Sequence, residues 1–388
     1  MSQLFFWCYP WDLEDEGFDA ALGSLAGEIG VDAVSIYATC QDIRQIRPRA
    51  PAEQRMFCCG AAAHFQPVAA SYAHGGIRPH PATWLKSRNP LERIAAAAER
   101  HKLGLRIRAD CCHGAALAQR HPHAACVNVF GDRRDDRLCP SQPEVREYVS
   151  NLVADLAGHY PAETIELEAV DFGPPVRADG YSDASLAFDD AAGRLLSWCF
   201  CSACRTRSLE AGVDAEEARL AIIRHLEACM RPGRPRAASL EELVAAEPVL
   251  AEYRRMRVEA VASLLLVVRP RSNCRLLLHY PVEAMPGTAD AAALGAQCDG
   301  FILPFEGGEP SRSAREVAAA AGGLDRIEAS MRCYPPLVED GPTLVSNVHQ
   351  ITQAPYAAVG FENYGTAPAE CLEWVRQAVR YARRESTT

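Results

Sequence analysis

Three cysteines lie within six residues, in the segment Cys199-Phe-Cys201-Ser-Ala-Cys204. This C-x-C-x-x-C spacing places three thiolates within reach of one soft cation, and a fourth thiolate would complete a tetrahedral zinc site. The best candidate for the fourth ligand is Cys139, which lies in a proline-stiffened turn just before a helical pattern. A zinc ion with four sulfur ligands leaves no position for substrate, so the predicted metal site is structural. The reserve ligands are Cys111, Cys112 and Cys126.

A second group of residues suited to chemistry is acidic and lies in the apolar segment Ile165-Glu-Leu-Glu168-Ala-Val-Asp171. If this segment is a strand, Glu166 and Glu168 share one face. A buried glutamate is costly unless it faces a polar pocket or has a partner. Glu168 is nearer the C-terminal end and is the better candidate for acid/base chemistry. Glu166 is interpreted as a paired carboxylate deeper in the fold.

Eight apolar runs of β type alternate with amphipathic helical patterns along the chain. The runs are residues 4–11, 33–40, 105–110, 164–172, 275–282, 300–306, 326–333 and 357–364. Helical patterns include residues 17–29, 90–102, 143–159, 312–321 and 369–384. Eight parallel strands with helical crossovers predict an α/β fold, a (β/α)₈ TIM barrel. The alternative, a doubly wound open sheet, would normally show a G-x-G-x-x-G turn, and none follows the first run.

The barrel is predicted to be a single domain over residues 1–388, with two long insertions. Both insertions follow strands, on the face where such barrels carry their chemistry. Residues 41–89, inserted after strand 2, have the composition of a loop that caps a pocket. Residues 173–273, inserted after strand 4, contain the cysteine triplet and then helical material. A separate domain is not needed to explain either segment.

The ends of other predicted strands carry aromatic and polar side chains that would converge on the same mouth of the barrel. Trp and Tyr rings offer apolar faces to a polyhydroxylated ring, and Asp, Arg and His supply fixed donors and acceptors. A lone histidine at a strand end is nevertheless more often structural than catalytic. The predicted substrate contacts are Trp11, Asp12, Arg108, Asp110, His113, His279, Tyr280, Tyr334 and Asn363.

The segment Arg137-Leu-Cys139-Pro-Ser-Gln-Pro-Glu-Val-Arg146, followed by the cysteine triplet, resembles glycoside hydrolase family 42 and the hypothetical glycosyl hydrolases related to it. The match covers residues 130–210, and elsewhere it rests on strand order. The resemblance implies a (β/α)₈ barrel with a four-cysteine zinc site close to the end of strand 4. The implied zinc ligands are Cys139, Cys199, Cys201 and Cys204.

The resemblance also implies carboxylate catalysis, and this chain departs from the family pattern twice. The family's Asn-Glu pair at the end of strand 4 corresponds to Val170 and Asp171, and an aspartate is one methylene shorter than the expected general acid/base. The family's nucleophile at the end of strand 7 is absent, since Glu328 lies at the start of that strand. Glu306 and Glu362 are the candidates for the second carboxylate, or are acceptors for sugar hydroxyls.

Composition excludes several classes of partner. The 388 residues carry a formal charge of −10 and no basic tract, which argues against a nucleic-acid-binding surface. No segment approaches the roughly 20 apolar residues of a membrane span, and the first residues do not form a secretory signal. Sixteen cysteines, several of them isolated in apolar segments, are typical of reduced thiols and predict a cytoplasmic protein.

The predicted function is that of a glycoside hydrolase-like enzyme that acts on a carbohydrate or glycoside by carboxylate general acid/base chemistry. The alternative is a non-hydrolytic sugar-binding protein, or an isomerase- or lyase-like barrel without the usual nucleophile. A second carboxylate facing Glu168 or Asp171 would discriminate between the two. The expected partner is a small-molecule carbohydrate, and homo-oligomers are possible by analogy. Redox chemistry is disfavoured, because adjacent cysteines rarely pair with each other.

Overall fold

The computed structural model describes residues 2–72, 76–175, 190–231, 239–285 and 288–385. Parts of both predicted insertions, residues 73–75, 176–189 and 232–238, lie outside the described residues. Eight parallel strands form the centre of the fold: β1 (Gln3–Cys8), β2 (Ala33–Cys40), β3 (Gly104–Asp110), β4 (Thr164–Glu168), β5 (Arg275–His279), β6 (Gly300–Glu306), β7 (Ile327–Arg332) and β8 (Ala358–Glu362). Each strand pairs with its neighbours in chain order, and β1 pairs with both β2 and β8. The sheet therefore closes, and the predicted (β/α)₈ barrel is confirmed.

Helices connect the strands on the outside of the barrel. They are α1 (Pro10–Glu16), α2 (Phe18–Ser24), α3 (Pro90–His101), α4 (Ala115–Arg120), α5 (Pro143–His159), α6 (Asp190–Leu196), α7 (Ser202–Glu210), α8 (Ala215–Cys229), α9 (Leu240–Ala246), α10 (Pro248–Val268), α11 (Thr288–Gly295), α12 (Arg312–Ala320), α13 (Gly341–Gln353) and α14 (Ala369–Glu385). The sequence of α3 shows why such segments are helical: a proline occupies its first turn, and Leu91, Ile94 and Ala98 recur on one face that is buried. None of the described helices combines the length and the apolarity needed to span a bilayer.

Several strands end earlier than the sequence predicts, and the early ends of β1 and β4 change the setting of predicted site residues. Pro10 begins α1 directly after β1, because a proline suits the first turn of a helix, and Trp11 and Asp12 therefore lie in a helix rather than on a strand. Strand β4 ends at Glu168, since Ala169 adopts a φ of 53° that is incompatible with a β-strand. Asp171 consequently lies in the loop after the strand.

A layer of charge crosses the lower interior of the barrel. The guanidinium of Arg106 donates to Glu166 at 2.7 Å and also pairs with Glu328, and all three side chains are fully buried. Arg106 lies 3.7 Å from the ring centroid of Phe5. A β-carbon on Gly360 would lie 2.5 Å from the same ring, so only glycine fits there. The interpretation of Glu166 as a deep, paired carboxylate is confirmed.

The two insertions form local structure of their own. After β2, the strands Ile43–Ile46 and Met56–Cys59 form an antiparallel hairpin, and Ala62–Ala63 extends the edge of β2. Between β3 and α5, the strands Ala125–Val127 and Arg133–Leu138 form a second hairpin. Helices α6 to α10 enclose a separate apolar cluster around Leu250 and Tyr253. These segments lie beyond the C-terminal ends of the strands, where they surround the mouth of the barrel.

Candidate active site and cysteine cluster

Four buried cysteines bring their sulfur atoms together beside the barrel. Cys139 follows the strand Arg133–Leu138, while Cys199, Cys201 and Cys204 lie just before and within the first turn of α7. The Cys139 sulfur is 3.7, 3.6 and 3.5 Å from the sulfurs of Cys199, Cys201 and Cys204, and all four lie within 4.8 Å of one another. Sulfurs around a tetrahedral zinc ion with bonds of about 2.3 Å are roughly 3.8 Å apart, whereas a disulfide measures about 2 Å. The separations fit a metal site.

Neighbouring amides support the cluster with hydrogen bonds to sulfur. The backbone N–H of Val127 donates to Cys199 Sγ at 3.3 Å, and the side-chain amide of Gln142 donates to Cys201 Sγ at 3.6 Å. Donors of this kind stabilise thiolates and orient metal ligands. The thiol of Cys126, a reserve ligand, lies 3.6 Å from the carbonyl of Leu138 and also interacts with Cys139 and Cys199, although it is not one of the four sulfurs that lie within 4.8 Å of one another.

A buried cation lies close to the four thiols. The guanidinium of Arg257 is 4.6 Å from the ring centroid of Phe172 and 4.9 Å from that of Trp198, and it interacts electrostatically with Cys199 and Cys204. Four thiolates around a divalent ion would carry two net negative charges, which a neighbouring arginine offsets in part. The donor set and the charge beside it both fit zinc.

The mouth of the barrel contains a cavity of about 400 Å³. This volume is within the range of small-molecule sites. Seven of the residues predicted for catalysis or substrate contact line it together: Asp110, His113, Glu168, Asp171, His279, Tyr280 and Glu362. A larger cleft of about 670 Å³ lies outside the barrel, between α5 and α7, and the strand-end carboxylates do not contribute to it. The chemistry predicted from the sequence therefore belongs to the barrel mouth.

Arg108 connects two carboxylates across this cavity. Its Nε and Nη2 donate to the two oxygens of Glu168 at 2.8 and 2.7 Å, and its Nη1 lies 3.5 Å from Glu362. The hydroxyl of Ser330 donates to the same oxygen of Glu362 at 2.8 Å. Glu168 and Glu362 are 35% and 30% exposed at their side chains, so a ligand in the cavity can reach both. A second carboxylate thus faces Glu168.

Two carboxyl groups on neighbouring strands have opposite pKa shifts. Burial alone would raise the pKa of Glu168, but the Arg108 guanidinium outweighs it and lowers that pKa to about 2. Asp110, paired in register with Glu168, has a pKa well above its usual range because it is buried and close to the negative charge of Glu168. Glu168 is therefore biased toward its ionised form and Asp110 toward its protonated form, a division typical of acid/base pairs.

The histidines and the tyrosine of the cavity have structural partners. Burial, followed by the charge of Arg137, lowers the pKa of His113 to about 4, so this ring is neutral at pH 7. The Nε2 of His279 lies 3.1 Å from Glu166 in the layer below, and the hydroxyl of Tyr280 donates to a backbone carbonyl at 2.7 Å. These three side chains form the walls and floor of the cavity.

Trp11 and Asp12 do not line the cavity. The ring of Trp11 stacks on Phe57 of the first insertion at 4.4 Å, and its Nε1 donates to Gln45 at 3.0 Å. Asp12 accepts from the same Gln45 amide at 3.3 Å. Burial raises the pKa of Asp12 to about 7. Both residues hold the capping hairpin against the barrel in this structure.

Four further predicted residues also lie outside the cavity lining. Arg108 is one of them and adjoins the cavity through its contacts with Glu168 and Glu362. Glu306 is exposed at the end of β6, where a short antiparallel pairing extends the strand. The hydroxyl of Tyr334 forms a 2.6 Å hydrogen bond with that of Thr366, and Asn363 Oδ1 accepts from the amide of Gly365 at 3.0 Å. Of the two candidates for the second carboxylate, the structure brings Glu362 and not Glu306 to Glu168.

Ser330 and Arg137 are among the cavity residues that were not predicted. Ser330 could have been found, because it is two positions after the inward-facing Glu328 and strand periodicity places it on the same face. Arg137 is 3% exposed and lines the cavity from the hairpin strand Arg133–Leu138. Its position depends on how that hairpin packs beside β3, which no local sequence pattern reports.

Comparison with known proteins gives a likeness of fold. No protein-family model matches the chain, and no curated protein matches its sequence. Among solved structures, α-L-fucosidase isoenzyme 2 from Paenibacillus thiaminolyticus has a TM-score of 0.54 at 12% identity, covering 100% of this chain and 50% of that one. The β-galactosidase from the psychrophilic Marinomonas ef1 has a TM-score of 0.56 at 10% identity, covering 99% and 60%. The catalytic domain of β-amylase from Paenibacillus polymyxa has a TM-score of 0.54 at 11% identity, covering 97% of both chains.

The likeness to these structures is one of fold. Identities of 10–12% show a shared fold and do not carry over an activity. The chain spans 50% of the fucosidase and 60% of the galactosidase to which it is similar.

Proposed function

We propose that this protein is a glycoside hydrolase-like enzyme that acts on a carbohydrate or glycoside by carboxylate acid/base chemistry. The observation that carries the proposal is the position of Glu168 on Arg108 in register with Asp110, whose pKa is shifted in the opposite direction, with Glu362 3.5 Å from the same Arg108. Glycosidic bond cleavage needs a proton donor and an ionised carboxylate on either side of the scissile bond. The fold that the chain shares with a fucosidase, a galactosidase and an amylase adds support.

The ionisation states suggest a role for each carboxyl group that differs from the sequence interpretation. Asp110 donates its proton to the glycosidic oxygen as the bond to the anomeric carbon breaks. Glu168, interpreted from the sequence as a general acid/base residue, is ionised and acts as the nucleophile, or as the base that takes a proton from water. Glu362 is the second candidate for the ionised role. Asp171, which also lines the cavity, is the second candidate for the proton donor.

A panel of aryl glycosides tests the proposal. Wild-type protein is expected to turn over at least one member, while Asp110→Asn and Glu168→Gln lower kcat by about 10²- to 10⁴-fold. The loss of kcat in Asp171→Asn measures how much Asp171 contributes as the second candidate for the proton donor. The control is Asp135→Asn, at an exposed position of the neighbouring hairpin, which should match wild type. Absence of turnover by wild-type protein on every glycoside would contradict hydrolysis.

The second candidate is a non-hydrolytic sugar-binding protein or a sugar isomerase- or lyase-like enzyme. It is favoured by the end of β7, where Ser330 and Arg332 stand in place of the nucleophilic glutamate of the resembled family. Such a protein would bind sugars in the same cavity. Binding of a free sugar without turnover of any aryl glycoside would support this candidate over the first.

We further propose that Cys139, Cys199, Cys201 and Cys204 hold one structural Zn²⁺. The donor chemistry, the sulfur separations and the adjacent Arg257 support the assignment. The four-cysteine arrangement also supports a relationship to family 42. None of the sixteen cysteines, all of them in the described part of the chain, forms a disulfide bond, which favours a reducing compartment such as the cytoplasm.

A further inference from the structure

Arg137 has no part in the roles proposed above, although it lines the same cavity as Glu168. It is the fifth residue of the strand Arg133–Leu138 and lies two positions before Cys139. Arg137 is 3% exposed, so its guanidinium is almost entirely removed from bulk water. A cation at this depth ordinarily has hydrogen-bond acceptors or a counter-ion.

Among the described residues, Arg137 lacks acceptors: its Nε and Nη1 have no hydrogen-bond partner. The other two arginines near the cavity are paired, Arg108 with Glu168 and Arg134 with Asp136. Each of them nevertheless also has a buried Nη1 without a hydrogen-bond partner in the described part of the chain. The Nη1 of Arg108 lies 3.5 Å from Glu362, so the donors that remain to be satisfied are those of Arg137 and Arg134.

These donors converge beside Gly173, in the loop that follows β4. A β-carbon on Gly173 would lie 3.0 Å from Arg137 Nε and 2.9 Å from Arg134 Nη1. Gly173 has a φ of 99°, which a residue with a side chain rarely adopts. Glycine at this position leaves the space beside the two buried donors free of a side chain.

The carboxyl groups facing Arg137 are engaged elsewhere. Asp171 Oδ1 accepts from the backbone amide of Gly173, and Asp110 Oδ1 accepts from that of His113 at 3.2 Å. Both oxygens of Asp136 accept from Arg134 at 3.1 Å. The described residues thus supply long-range negative charge around Arg137 and no acceptor for its Nε and Nη1.

We propose that the cavity is selective for an acidic sugar, a uronate or uronide, whose carboxylate binds Arg137 with Arg134 as a second donor. The inference rests on the proposed function and specifies its substrate class. Guanidinium groups match carboxylates in geometry and form charge-assisted hydrogen bonds with them. A uronate supplies both the acceptor oxygens and the counter-charge that the buried donors lack, whereas a neutral sugar supplies hydroxyl oxygens alone.

Calorimetric titration with matched ligands tests the selectivity. Methyl β-D-glucuronide and methyl β-D-galacturonide are compared with methyl β-D-glucoside and methyl β-D-galactoside. Wild-type protein is expected to bind at least one uronide about 10- to 100-fold more tightly than its neutral partner, the range for a hydrogen bond to a charged group. Equal affinity for both members of each pair, or no detectable binding of either uronide, would overturn the inference.

Substitution of Arg137 identifies the residue responsible. Arg137→Gln should remove the preference, so that the variant binds the uronide and its neutral partner with affinities within about two-fold of each other. Arg133→Gln, at an exposed position of the same strand, should keep the wild-type preference. Arg137→Gln should also melt no lower than wild type, because it removes a buried charge without a partner. If Arg137→Gln keeps the wild-type preference for the uronide, the assignment of Arg137 is overturned. Arg137→Lys is the variant to use if Arg137→Gln does not fold.

The outcomes separate this inference from the proposed function. Turnover of neutral aryl glycosides, with the ratio to aryl uronides unaffected by Arg137→Gln, would overturn the inference and leave glycoside hydrolysis standing. Selective binding of uronides without turnover of any aryl glycoside or uronide would contradict glycoside hydrolysis and leave the inferred uronide selectivity standing.

Discussion

A single guanidinium determines the chemistry available at the mouth of the barrel. Arg108 holds Glu168 through two hydrogen bonds and approaches Glu362 with its third nitrogen. Its positive charge lowers the pKa of Glu168, while burial and the nearby negative charge of Glu168 raise the pKa of Asp110. One ion pair thus helps to separate the pKa values of two carboxyl groups on adjacent strands.

This arrangement predicts how activity depends on pH. Because Asp110 must be protonated, kcat/KM should fall as the pH rises through its elevated pKa, and the Asp110→Asn variant should lose that alkaline limb. The measurement is a pH–rate profile for both proteins on one aryl glycoside. With an aryl glycoside whose leaving group needs no protonation, the loss of kcat/KM in Asp110→Asn relative to wild type should be smaller. An alkaline limb that persists in Asp110→Asn would assign the proton to another group.

Asp12 should make stability fall as the pH rises. Its pKa in the folded protein is about 7, against an ordinary value of 3.8, so the folded state holds the proton more tightly than the unfolded state. The stabilisation is complete below about pH 4 and is lost as the pH rises to about 7, at about 1 kcal/mol per pH unit. In thermal unfolding from pH 4 to 8, the melting temperature of Asp12→Asn should therefore rise relative to that of wild type as the pH increases. A constant difference between the two proteins across this range would contradict the shift.

At the scale of elements, four cysteines join the hairpin after β3 to the start of α7. Cys204→Ser is expected to abolish the binding of one zinc ion per chain and to lower the free energy of unfolding by several kcal/mol, since structural zinc binds with a free energy on the order of 10 kcal/mol. Elemental analysis and denaturant unfolding measure the two effects. Cys58→Ser, at an exposed cysteine, is the matched control. Full metal content in Cys204→Ser would contradict the assignment of that ligand.

Sequence periodicity predicts the barrel strands and part of the site. The apolar runs and the helices between them follow from local patterns, and so does the inward face shared by Glu166 and Glu168. The early ends of β1 and β4 depend on Pro10 starting a helix and on the positive φ of Ala169, and the latter reflects tertiary contacts. Such contacts are not visible in a run of apolar residues.

Long-range packing accounts for what the sequence could not predict in the site. Arg137 reaches the cavity because its hairpin folds back beside β3, and Trp11 is withdrawn because the capping hairpin stacks on it. Glu306 and Glu362 have equivalent positions at strand ends, and only the closed barrel distinguishes them. Contacts between segments that are distant in the sequence decide which candidate residues reach the site, because local patterns do not distinguish these candidates.

At the scale of the whole molecule, Arg106 connects β3, β4 and β7 from inside the barrel. Replacing it by methionine would leave Glu166 and Glu328 buried without their shared counter-ion. Breaking a buried ion pair costs about 3–5 kcal/mol, so Arg106→Met should lower the free energy of unfolding by that order. Denaturant titration checks the loss, with Arg133→Met at an exposed site as control. An unchanged midpoint would show that the pair contributes little.

The closeness of Arg137 to Cys139 along the chain links recognition to metal content. Only Leu138 separates the residue assigned to the substrate carboxylate from a cysteine of the cluster. A shift of the hairpin after loss of the ion would displace this arginine, while Arg108, Glu168 and Glu362 would stay fixed by the barrel strands that carry them. Mild chelation is therefore expected to broaden the range of sugars accepted at a point where the barrel is still folded.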